Sequence, residues 1–79
     1  MSSEEKLTIR LHRNDNVVVA RHALEGGTVI ADESVTTLGP IPAGHKLATK
    51  PIAQGEAVRK YDQIVGFATA EVAPGEHLH

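Results

Sequence analysis

Seventy-nine residues with a formal net charge of −2 and no cysteine describe one small domain that neither disulfides nor a thiolate-held metal can staple. The charge excludes a general nucleic-acid binder, which needs a basic surface, and a single Tyr, a single Phe and no Trp leave no stacking platform for single strands. No apolar run approaches membrane-spanning length and no signal peptide is visible, so a cytoplasmic protein without membrane contact is expected.

In chain order, residues 1–6 are polar and read as a frayed, disordered tail, with the domain running over 7–79. Residues 7–11 alternate apolar and polar, as a half-buried strand does, and 12–16 form a turn-rich cluster. Residues 17–20 are a β-branched run suited to a buried strand. Short strands are predicted over 28–30 and 35–38, separated by an exposed loop at Asp32, Glu33 and Ser34. Further strands are predicted over 46–49 and 57–59, then over 64–69 after a hairpin-like turn at 61–63. Nothing shows a sustained helical period, and the fold class expected is all-β.

One phrase, apolar–two residues–Gly–two residues–apolar, occurs four times: Ala23/Gly26/Val29, Ile41/Gly44/Leu47, Ile52/Gly55/Val58 and Val72/Gly75/Leu78. Glycine accepts the positive φ that ends a tight turn, so each copy predicts a short turn, a glycine cap and then a strand. The flanking apolar residues should pack into a shared interior. With almost no aromatics that core is aliphatic and thin, which points to support from a partner, a metal or self-association.

Five histidines are the main chemical signal. His77 and His79, two apart, share a face if extended and can meet one metal ion, but a metal site needs at least a third ligand. His12 or His45 could supply it if the fold brings their loops in; otherwise the pair is a polar chain end. His22, beside Arg21, reads as a surface residue. Lys46 and Lys50, with Arg59 and Lys60, suit an anionic ligand such as a carboxylate, or simply a solvated strand face. Asp15, Asp32 and Glu33 suggest no carboxylate pair, and no Ser-His-Asp set, P-loop or dinucleotide fingerprint is present.

The ordered strings at 11–20, 41–48, 52–61, 64–70 and 72–79, above all Gly44-His45-Lys46, Lys60-Tyr61 and the ending Gly75-Glu76-His77-Leu78-His79, closely resemble the amino-terminal SAF domain of the altronate and galactarate dehydratases. The resemblance implies a small β-clip domain that serves as the accessory domain or small subunit of a metal-dependent sugar-acid dehydratase, a hydro-lyase, and is inactive alone. It implies a larger catalytic dehydratase domain or subunit as partner and a sugar acid as substrate. By the same resemblance His12, His45, His77 and His79 are metal ligands for a divalent metal ion (Fe2+, Mn2+ or Zn2+), and Lys46 and Tyr61 contact substrate. The small subunit of sulfolactate sulfo-lyase looks like the same module. A stand-alone carbohydrate- or carboxylate-binding module is the competing reading, and a homo-oligomer is compatible with either.

Overall fold

A computed structural model describes residues 6–78. Its strands are β1 (Thr8–Ile9), β2 (Val17–Ala20), β3 (Val29–Ile30), β4 (Val35–Thr36), β5 (Lys46–Ala48), β6 (Ala57–Lys60), β7 (Gln63–Phe67) and β8 (His77–Leu78). All pairings are antiparallel: a four-stranded sheet in the order β1-β2-β5-β8, and the two ribbons β3-β4 and β6-β7. The expected all-β domain is what the chain forms. The first strand shrinks from the five residues predicted to Thr8–Ile9. Of the anticipated tail, Lys6 reaches Asp32 at 3.0 Å, and residues 1–5 lie outside the described residues.

The glycine phrases organise everything else, with one correction. Gly27 takes the positive φ of +85°, matching Gly44, Gly55 and Gly75. The first phrase is therefore Leu24/Gly27/Ile30, one residue later than the sequence pattern suggested. Leu24 and Ile30 are buried, whereas Ala23 and Val29 are exposed. With two adjacent glycines both registers satisfy the pattern, and burial of the larger pair of side chains decides between them.

The phrases associate in pairs. Leu24 exchanges backbone hydrogen bonds with Ile41 (2.8 Å each way), and Ile52 does so with Val72 (2.9 and 2.8 Å). Within a pair, each glycine N–H donates to the carbonyl four residues before the partner phrase: Gly27 to Thr37, Gly44 to Ala20, Gly55 to Ala68 and Gly75 to Ala48. The chain is thus two copies of one knot of turns. Each copy fills its own core, one from Val18, Ala20, Leu24, Ile30, Val35, Ile41 and Leu47, the other from Val17, Ala48, Ile52, Val58, Ala68 and Val72. The β2–β5 ribbon is the wall between them. Val18 and its cross-strand partner Leu47 face one core, while Val17 and Ala48 face the other, as alternation along a strand requires. The single interior expected from the sequence is two.

The predicted loop is exposed at Asp32 and Ser34 as expected, but it carries a turn of helix and Glu33 is half-buried. Ala31–Glu33 is a turn of 3-10 helix, closed by Ser34 at φ +58°. Glu33 is drawn inward by Arg10, which binds it through Nε (3.0 Å) and Nη2 (2.7 Å). Arg10 Nη1 also donates to the carbonyls of His12 and Asp15, both at 2.9 Å, so one side chain ties the 3-10 turn to the 12–16 cluster. The hydrogen bonds to Glu33 raise the Arg10 pKa above its ordinary value, with partial burial opposing.

The predicted turn at 61–63 is a two-residue hairpin loop, Tyr61-Asp62, with φ of +61° and +60°. Both values belong to the left-handed region that the favoured hairpin turn demands and that Asn-Gly usually occupies. Asp62→Gly is expected to stabilise the chain by about 1 kcal/mol in urea denaturation, since it removes one left-handed non-glycine residue. Among the described residues the side chain gives up only weak contacts, with the exposed Asn14 Nδ2 at 3.3 Å and the half-buried ring of His12 at 3.7 Å.

Candidate functional site

His45 precedes β5 and His77 opens β8, the strand paired with it. Leu47 stands opposite His77, which makes His45 its diagonal neighbour on the same face. The rings meet: His45 Nδ1 lies 2.9 Å from His77 Nε2, with centroids 5.1 Å apart and planes tilted by 36°. A hydrogen bond at that distance requires one nitrogen to carry a proton and the other to present its lone pair. The local chain fixes His45 twice over: its N–H donates to Pro42 O (3.1 Å) within the second glycine turn, and its carbonyl accepts from Ala20 (2.9 Å). Lys46, half-buried and paired with Val19 on one side and Leu78 on the other, follows His45 in the chain but alternates to the opposite face of the sheet from the two histidines.

The other predicted site residues lie elsewhere. His12 sits at the Val17 end of β2 and His45 at the Ala20 end, about 10 Å apart along the strand. His12 Nδ1 accepts the N–H of Asn14 at 3.0 Å, so it is not the donor to Asp62 Oδ1, and the 3.7 Å between those two is a contact rather than a hydrogen bond. Tyr61 is exposed at the hairpin tip near His12 and away from Lys46. His79 lies outside the described residues. Among the described residues no three His, Asp or Glu side chains gather where they could hold a metal ion.

Beside Lys46 and His77 runs an open groove of about 450 Å³, walled by Val65, Phe67, Ala68, Val72 and Leu78, with Thr69, Glu71 and Glu76 along it. Two other depressions lie on the β1 side, near Lys6, Thr8 and Asp32, and contain no histidine.

Sequence reasoning missed Asp15 and Asn16, which place the hairpin. Asp15 is almost fully buried, and its carboxylate accepts the N–H groups of Tyr61 and Asp62, both at 2.7 Å. Asn16 donates to Ala57 O (3.0 Å) and accepts from Arg59 N (2.8 Å). The signal available was the run Asn14-Asp15-Asn16, side chains that cap nearby backbone, but nothing in the sequence says that their targets lie more than forty residues away.

The structure is thus a glycine-turn β domain with a histidine pair at the edge of its sheet. Residues 6–79 match the altronate/galactarate dehydratase SAF domain, and the chain belongs to that family. Among curated proteins it is similar to altronate dehydratase of Escherichia coli (strain K12), 40% identical over 73 residues that cover 90% of this chain and 15% of that protein. Altronate dehydratase of Bacillus subtilis (strain 168) is 30% identical over 94% of this chain and again 15% of its own length. The (2R)-sulfolactate sulfo-lyase subunit alpha of Paracoccus pantotrophus is 35% identical over 62% of this chain and 73% of that subunit. The chain therefore spans about 15% of the length of the altronate dehydratases it matches.

Proposed function

We propose that this domain is the accessory part of a sugar-acid dehydratase and that it contributes His45 and His77 to an active site completed by a larger catalytic polypeptide. The observation that carries the reading is the 2.9 Å approach of the two imidazoles, made by side chains 32 residues apart. Family membership supplies the chemical class, because relatives that carry this module are named for altronate dehydration.

The pair fits part of a metal site. His45 Nδ1 and His77 Nε2 are the two imidazole nitrogens that would hold a divalent cation, each ring turning its lone pair from the other ring toward the ion. The remaining ligands come from outside the described residues, with His79 the next candidate in the sequence. A divalent cation held there would supply charge stabilisation to the acid's carboxylate as the neighbouring proton is removed. Lys46, which lines the neighbouring groove together with His77, offers a compact charge for the acid's carboxylate. The positions of Tyr61 and His12 favour a role away from this pair. Altronate is the favoured substrate, since the altronate dehydratases match over most of the chain.

The test is dehydratase assay of the intact enzyme that carries the domain. Changing His45 and His77 to Ala together is expected to lower kcat by at least about a hundredfold, the scale for losing groups that hold a catalytic ion. His45 is exposed and His77 half-buried, and neither belongs to a core, so the circular dichroism and melting of the variant should stay close to the parent. Unchanged kcat with the full metal content would remove this reading and leave a carboxylate-binding module in its place.

A further inference from the structure

Both aromatic residues of the chain lie outside its cores. Phe67 is 62% exposed, and on the same strand Val65 is 53% and Ile64 50% exposed. Residues 63–67 carry no charge and no proline, the devices that normally protect an open strand edge. Among the described residues β7 pairs with β6 alone, and β8 is the outer strand of its sheet. The groove runs between these two strands and shares His77 with the histidine pair.

We propose that an extended segment of the catalytic dehydratase polypeptide docks in this groove and adds to the edge of β7, packing aliphatic side chains on Val65, Phe67 and Leu78. This deepens the accessory-domain reading and rests on it. Three observations choose the occupant. Some 85% of each matched altronate dehydratase lies outside the region this chain covers, which supplies the polypeptide. The related sulfo-lyase module is named a subunit, so its partner is a different chain. The groove is lined by His77, whose ring meets His45, so a strand seated there passes along one side of the histidine pair. A second copy pairing through β7 fits less well, because a five-residue strand and three apolar side chains fall well short of the roughly 1,200 Å² of a stable interface. Strand addition gives affinity through main-chain hydrogen bonds and specificity through alternate side chains, and an uncovered apolar edge provides both.

The test places a photo-crosslinker in the intact enzyme, Phe67→p-benzoylphenylalanine, and maps the adduct by mass spectrometry. An adduct to dehydratase sequence outside residues 1–79 is the expected result. An adduct to β7 of a second copy, or no adduct, overturns the proposal. In parallel, Phe67→Glu is expected to speed amide exchange of residues 63–67 in the intact enzyme by about tenfold or more while leaving β2 and β5 unchanged; unchanged exchange at 63–67 also overturns it. The two readings separate cleanly. A catalytic-polypeptide adduct with full activity after His45 and His77 are both changed to Ala keeps the docking and loses the shared site. Loss of activity in that variant without an adduct at Phe67 does the reverse.

Discussion

Gly75→Ala is expected to leave the domain largely unfolded, whereas Gly44→Ala is expected to be tolerated. The two glycines have nearly the same backbone, φ +88° and +82°, so a Cβ carries a similar conformational penalty of about 1–2 kcal/mol at each. They differ in what the Cβ meets. At Gly44 nothing lies within 4 Å. At Gly75 the new methyl overlaps the Thr36 carbonyl oxygen and comes within 3.0 Å of its carbon, and both are backbone that cannot rotate away. Gly75 is buried where the two knots touch. Its N–H donates to Ala48 O (2.8 Å) and its carbonyl accepts from Leu38 (3.0 Å), so relief of the overlap separates those bonds as well. Overpacking and the strained φ together cost about 4 kcal/mol or more, against a total stability of about 4–12 kcal/mol for a chain of this length. Urea midpoints for the two variants check the point, and equal midpoints would remove the argument.

Asp15→Ala is the second large effect, an expected loss of about 3–5 kcal/mol. The carboxylate is buried and accepts two backbone N–H groups, each bond to a charged acceptor being worth about 1.5–3 kcal/mol. Those two N–H groups belong to Tyr61 and Asp62, which hold left-handed φ without being glycine, so the carboxylate also stabilises a turn that these residue types disfavour. A melting temperature lower by more than about 12 °C is expected. Asp15→Asn should fall between, since an amide oxygen keeps one bond while its NH2 group opposes the other N–H. Adding Asp62→Gly to Asp15→Ala should recover about 1 kcal/mol, because the turn then needs less holding. If Asp15→Ala melts with the parent protein, the buried carboxylate is not what sets the hairpin.

The histidine pair and the turn scaffold differ in how far the sequence revealed them. Gly44, Gly55 and Gly75 are legible because only glycine occupies their φ cheaply, and the apolar residues three positions to either side are buried, Leu78 partly so. At the first copy the adjacent Gly26 and Gly27 made two registers equally good, and only packing of Leu24 and Ile30 chose one. For the histidines, spacing drew attention to His77 and His79, but the contact seen joins His77 to His45. That contact depends on the β5–β8 register, which composition does not encode.

The sequence by itself determined the class of structure: an all-β chain of short strands, four glycine turns, an aliphatic interior and a family whose motifs cover nearly all of it. These are local properties, each set by one residue's backbone freedom or polarity. Tertiary structure alone decided that the turns pair two by two, that there are two cores with β2 and β5 between them, and that Asp15 reaches across forty-six residues to fix a turn. It also decided that His45 meets His77 while His12 and Tyr61 lie at the far end of β2. The physical reason is that such contacts come from strand register, and a one-residue slip would turn every side chain to the opposite face.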